Sequence, residues 1–117
     1  MITRPKWLLH AEGAAILVAS AVIYGLRGYH WWIFAALFLA PDLSLLGYLA
    51  DIKLGTALYN FIHTETLPLA LGVAAILWRP SLLAVSLIWL AHIGMDRMLG
   101  FGLKYPTRFN DTHLARV

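Results

Sequence analysis

The sequence predicts an all-α membrane protein, a four-helix up-down transmembrane bundle with both termini in the cytoplasm. Of the 117 residues, 61% are hydrophobic and only 13% are charged, whereas soluble domains carry about 25% charged residues. Four apolar stretches each approach the ~20 residues that a helix needs to cross a bilayer. Because the connections between them are short, we expect antiparallel neighbours. The chain has no cysteine, which excludes disulfides and thiolate metal ligands.

Each apolar stretch defines one predicted span. The spans cover residues 7–25, 31–50, 57–78 and 81–99. They make up a single domain, 1–99, and the more polar residues 100–117 are predicted to form a cytoplasmic tail. A cleaved signal peptide is the alternative for the first span, because Arg4 and Lys6 precede an apolar run, but Glu12 interrupts that run.

The basic residues set the orientation, because short cytoplasmic loops retain Lys and Arg during insertion. Seven of them fall on the side of both termini: Arg4, Lys6, Lys53, Arg97, Lys104, Arg108 and Arg116. Only Arg27 and Arg79 fall on the other side. This predicts a multi-pass protein of the inner (plasma) membrane, with the lipid bilayer as its partner and a homo-oligomer left open. Nucleic acid is excluded because the basic residues form no stripe.

Ionisable side chains interrupt all four predicted spans. They are Glu12, Asp42, His63, Glu65, His92 and Asp96. A charge within a span costs about 2.5–3.5 kcal/mol on insertion scales, so each needs a partner or a wet cavity. With a rise of ~1.5 Å per residue, each span carries an ionisable side chain about 5–12 Å from its cytoplasmic end. His92 and Asp96 share a helix face, while Glu65 lies about 200° from His63 and is expected to point elsewhere.

Four of these side chains have the right types for a metal site. Asp42, His63, His92 and Asp96 are the candidate ligands, converging from three helices. Histidine and carboxylate ligation without sulfur suits a divalent ion such as Zn, Mn, Fe or Ni. Should a bound metal activate water for hydrolysis, Glu12 is the candidate general base.

Two other functions fit the same cluster. A structural or assembly protein would use the polar groups to fix helix packing. A proton-linked small transporter would use Glu12, Asp42, His63 and His92 as a relay, although the charge-free outer halves of the spans argue against a continuous path. In the tail, Asp111 and His113 either add ligands from below, or Asp111 caps a short turn, which is more usual for a terminal segment.

Several segments together resemble a known family over nearly the whole chain. They are 39–48 (LAPDLSLLGY), 59–64 (YNFIHT), 89–100 (WLAHIGMDRMLG), 102–106 (GLKYP) and 111–114 (DTHL). This combination is similar to the bacterial family catalogued as domain of unknown function 4260. The resemblance implies a small integral membrane protein and supplies no activity.

A looser resemblance is to the membrane-bound metal-dependent hydrolases. They share a Pro-Asp after an apolar run, a His followed by a hydroxyl residue, and a later His-x-x-x-Asp. This resemblance implies that Asp42, His63, His92 and Asp96 are the metal ligands. The chain departs from the pattern at Ser44, where a second acid often stands, and at Leu58, where another histidine often stands. The resemblance therefore favours a metal more than it favours hydrolysis.

Overall fold

The computed structural model of the chain describes residues 4–103 and 112, apart from the side chains of Leu45 and Tyr48. Five α-helices follow one another in this part of the chain. They are α1 (Pro5–Leu26), α2 (Trp31–Leu37), α3 (Ile52–Ile62), α4 (Thr66–Trp78) and α5 (Leu83–Leu99). Two 3-10 helices connect them, Ala40–Leu49 between α2 and α3 and Pro80–Leu82 before α5.

Pro41 ends α2 before the end of the predicted span. A continuous helix would need the residue at position 41 to donate its N–H to the carbonyl of Leu37, and Pro41 has no N–H. The α-helix ends at Leu37 accordingly. The chain tightens into the 3-10 helix Ala40–Leu49, where the Asp42 N–H donates to the carbonyl of Leu39 at 3.0 Å.

A second interruption separates α3 from α4. Here Pro68 lacks the N–H that would reach the carbonyl of Thr64 in a continuous helix. The chain leaves the helix after Ile62, resumes it at Thr66, and bends by 40° in between. His63 directly follows α3 as its C-cap residue and therefore lies at the bend.

Among the described residues, two helices are long and apolar enough to cross a membrane, Pro5–Leu26 and Pro80–Leu99. The bent pair α3 and α4 adds a third candidate if it counts as one span. Residues 31–50, predicted as one span, are divided between α2 and the 3-10 helix Ala40–Leu49. The four-span topology and the cytoplasmic termini therefore stay predictions.

Helix α5 is the centre of the fold, and α1 packs along it. In the most apolar 18-residue window of each segment, 61% of Pro80–Leu99 is buried but only 17% of α1. Tyr24 of α1 packs with Leu87 and Ile88 of α5 in the core. The outward faces stay apolar, as with Val22 on α1 and Val73 on α4, both more than half exposed. Water-soluble monomers rarely expose such extensive apolar surface, which suggests a membrane protein.

Candidate metal centre

Helix α5 supplies two side chains to one point in the protein interior. His92 and Asp96 lie one turn apart on the same face, and His92 Nε2 is 3.2 Å from Asp96 Oδ2. The helix then ends in a glycine turn, because Gly100 has a φ of +97° that other residues rarely adopt. Its N–H donates to Arg97 O and that of Phe101 to Asp96 O, the pairing of a Schellman motif.

The end of α3 supplies a third side chain, His63, and holds it in one orientation. Its Nδ1 lies 2.9 Å from the carbonyl oxygen of Tyr59. The two rings stack with their centroids 3.8 Å apart and an angle of 12°. A carbonyl oxygen only accepts, so Nδ1 carries the proton and donates it. In the neutral ring this leaves Nε2 with a free lone pair, as a metal-bound histidine requires.

Side chains of α5 satisfy the backbone at the bend between α3 and α4. Arg97 Nη2 donates to the carbonyl of His63 at 2.8 Å, and Trp89 Nε1 donates to the carbonyl of Ile62 at 2.7 Å. Arg97 Nη1 also donates to the carbonyl of Phe101 at 2.8 Å. A broken helix within a membrane is tolerated when such partners replace its missing backbone bonds. The bend is therefore fixed against α5.

The fourth side chain, Asp42, comes from the 3-10 helix Ala40–Leu49. The Ser44 hydroxyl donates to the carbonyl of Pro41 at 2.9 Å and closes the turn around Asp42. The side chain of Asp42 is 39% exposed, whereas that of Asp96 is 7% exposed and His63 and His92 are fully buried. Asp42 therefore forms the accessible side of the group.

Four atoms from these residues meet at short range. His63 Nε2 lies 3.2 Å from both Asp42 Oδ1 and His92 Nε2. His92 Nε2 is 3.2 Å from Asp42 Oδ1 and from Asp96 Oδ2, and His63 Nε2 is 3.5 Å from Asp96 Oδ2. One ligand atom from each residue lies within 4.8 Å of all the others. These residues, which we call the metal centre, could hold a metal ion.

Hydrogen bonds among the four side chains cannot satisfy all of their polar atoms. The two Nε2 atoms are 3.2 Å apart, so protons on both would point at each other. Asp96 Oδ2 is buried, and no hydrogen-bond donor among the described residues is aligned with it. Buried polar atoms are nearly always paired. A cation between the four atoms would accept both nitrogen lone pairs and both carboxylates at once.

The separations also match the size of a small metal ion. Zinc binds histidine nitrogen at about 2.0–2.1 Å and carboxylate oxygen at about 2.0–2.2 Å. Two ligands at a tetrahedral angle are then about 3.3–3.5 Å apart. The separations of 3.2–3.5 Å between five of the six pairs of atoms agree with this value.

Glu12 and Glu65 lie elsewhere, in a cavity of about 350 Å³ that Arg97 also lines. Glu12 is on the exposed face of α1 and does not belong to the metal centre. The cavity shares one side chain, Arg97, with the surroundings of His63. Glu12 therefore faces a different part of the protein from the four ligands.

Sequence reasoning missed the residues that support the ligands. Trp89 and Arg97 reach the bend from α5, a contact between helices that the sequence does not indicate. Tyr59 holds His63 from one turn earlier in α3. The tail residues Asp111 and His113 lie outside the described residues.

Comparison with known proteins adds one match. A family profile described as "Domain of unknown function (DUF4260)" matches residues 6–117. Neither the curated proteins nor the solved structures give a match.

Proposed function

The chain belongs to the family with domain of unknown function DUF4260, and we propose that it is an integral membrane protein that binds one divalent metal ion. The ligands are Asp42, His63, His92 and Asp96. One observation carries the proposal: His63 Nε2, His92 Nε2, Asp42 Oδ1 and Asp96 Oδ2 converge with separations of 3.2–3.5 Å between five of their six pairs.

The charge of the site supports a divalent ion. Two ionised carboxylates bring two negative charges to a largely buried place, and burying charge is costly unless it is paired. An ion of charge +2 with two carboxylates and two neutral imidazoles gives a neutral site. Asp42 and Asp96 can then both stay ionised beside His63 and His92.

The donor set narrows the choice of metal. Two nitrogens and two oxygens, with no sulfur, suit Zn, Mn, Fe or Ni, and the spacing suits tetrahedral Zn best. The metals that prefer more ligands would add solvent on the side of Asp42, whose side chain is 39% exposed. The same side is the route by which a substrate would reach the ion.

A hydrolase-like activity extends this proposal. A divalent ion at the site would polarise an ester or phosphoester oxygen and make coordinated water more acidic. Asp42 and Asp96 would hold the ion, and the stacked ring of Tyr59 would keep His63 oriented. Glu12 lines a separate cavity, so its role as general base stays a prediction.

We further propose that the protein is in the plasma membrane with both termini cytoplasmic. The apolar helices α1 and Pro80–Leu99 support membrane insertion. The excess of Lys and Arg on the side of the termini supports the orientation.

Metal content tests the proposal. The protein is purified in detergent without chelators or a histidine tag, resupplied with Zn²⁺ or Mn²⁺, and analysed by plasma mass spectrometry. We expect about one ion per chain in the wild type and in His30→Ala, which replaces an exposed histidine. The double variant His63→Ala, His92→Ala should bind none.

Absence of metal from the resupplied wild type would contradict the proposal. If the double variant then unfolds more easily than wild type, the cluster serves helix packing instead, as in a structural or assembly protein.

A further inference from the structure

An apolar groove runs beside the metal centre. It has a volume of about 220 Å³ and lies between α2, the start of the 3-10 helix Ala40–Leu49, the end of α3 and the middle of α5. Its rim is exposed, at Leu37, Ala40 and Val85, and its floor is buried, at Pro41 and Ile88. The groove therefore leads from the surface into the protein.

The inner wall of the groove and the metal centre are built from the same chain segments. Two residues of the wall directly precede a ligand in the chain, and a third lies one helical turn before one. These pairs are Pro41 with Asp42, Ile62 with His63, and Ile88, one helical turn away, with His92. The groove therefore lies next to the segments that carry the ligands, of which Asp42 has the most exposed side chain.

The side chains that line the groove favour an apolar ligand. The one side-chain donor of the wall, the Trp89 indole N–H, already donates to the carbonyl of Ile62, so a polar occupant would find no side-chain partner there. The volume of about 220 Å³ is below the ~300–1,000 Å³ of pockets that enclose a whole small molecule. The groove suits a hydrocarbon chain, with the rest of the molecule outside it.

We propose that this groove binds the hydrocarbon chain of an amphiphile whose polar headgroup lies on the metal ion. The inference rests on the proposed function, because the headgroup needs the ion as its partner. It identifies the substrate class of the metal centre as single-chain or multi-chain lipids with a headgroup of oxygen donors. Such a molecule enters from the bilayer, into which the rim of the groove opens if the protein spans the membrane.

Two metal-binding probes of different chain length test the proposal. Acetohydroxamate and hexanohydroxamate carry the same metal-binding group, and the second has four more methylene groups. Each buried methylene is worth about fourfold in affinity. Binding to the Co²⁺-loaded protein in detergent is followed by the visible absorption of Co²⁺. The variant is Val85→Trp, which fills the groove from its rim, and the control is Val22→Trp on the exposed face of α1.

We expect wild type and Val22→Trp to bind hexanohydroxamate at least about tenfold more tightly than acetohydroxamate, which corresponds to two buried methylenes. Val85→Trp should bind the two probes about equally while keeping its Co²⁺. Uptake of probe by micelles is the same for all variants and cancels in this comparison. Should Val85→Trp lose its metal, Leu37→Trp fills the groove from another position on its rim.

Equal preference for the longer probe in wild type and in a metal-loaded groove variant would overturn the inference and leave the proposed metal site intact. Failure of the wild type to bind Co²⁺ or Zn²⁺ would overturn the proposed function itself, and the inference with it. Metal analysis of every sample separates the two failures.

Discussion

The substitution Gly94→Ala tests the packing that positions α5. Gly94 lies against α1 at the level of Gly13, where the two backbones approach closely. A Cβ atom at position 94 would stand 2.6 Å from the backbone N of Leu17 and 2.7 Å from the carbonyl oxygen of Gly13. These are backbone atoms, so no rotation of a side chain relieves the contact.

The size of the effect follows from these distances. Ordinary contact begins at 3.4 Å, so α1 must move away by about 0.8 Å, the difference from 2.6 Å. Overpacking of this kind costs about 1–3 kcal/mol. The control is Gly25→Ala, which meets only the ring of Trp31 at 3.3 Å. Both variants gain the same helix propensity, about 0.5–1 kcal/mol, and this gain cancels between them.

The assay is SDS-induced unfolding in mixed micelles, followed by tryptophan fluorescence. We expect Gly94→Ala to be less stable than Gly25→Ala by about 1–3 kcal/mol. Gly13→Ala meets the same interface, so the double variant with Gly94→Ala should lose less than the sum of the single losses. A Gly94→Ala protein within about 0.5 kcal/mol of Gly25→Ala would refute the close approach of α1 and α5.

Three further predictions concern the metal centre. Arg97→Lys removes the two hydrogen bonds to the carbonyls of His63 and Phe101 and should weaken metal binding about 10–100-fold. Competition with a chelator measures the metal affinity. The control is Arg79→Lys, which replaces an exposed arginine and should bind metal as wild type does. Glu12→Gln should keep a full complement of metal, since Glu12 lies outside the metal centre, and loss of metal would show that Glu12 is a ligand. Protons compete with metal for the histidine nitrogens, so the amount of bound metal in equilibrium dialysis should fall between about pH 8 and about pH 5. Metal that stays bound at about pH 5 would contradict histidine ligation.

Local periodicity in the sequence was enough to predict the contribution of α5. His92 and Asp96 are four residues apart in a regular helix, so their common face follows from helix geometry alone. The cost of buried charge then indicated that both must have partners. The structure places both beside His63.

The interruptions of the other helices were harder to predict. Pro41 cannot donate a backbone hydrogen bond, but this alone does not show that the chain changes to a 3-10 helix there and presents Asp42 to α5. At His63 the helix ends, and its free carbonyl is satisfied by Arg97, 34 residues away in the chain. Such a partner depends on tertiary packing, which helical periodicity does not encode.

Glu12 illustrates a limit of the depth estimate. Counting residues along a span gives the depth of a side chain but not the direction in which its helix faces the neighbours. The face of α1 that packs on α5 is fixed by Gly13 and its close approach to Gly94. Glu12 is consequently turned into the cavity shared with Glu65.

X-ray absorption at the zinc edge of the Zn²⁺-loaded protein tests the central claim most directly, because it reports the ligands themselves. The four-residue site predicts about four nitrogen or oxygen ligands at about 2.0–2.2 Å, with the multiple scattering of two imidazole rings. The matched sample is His63→Ala, His92→Ala, in which that imidazole signal should be lost together with the metal. A zinc shell without imidazole, or an unchanged shell in the double variant, would contradict the assignment of the metal centre.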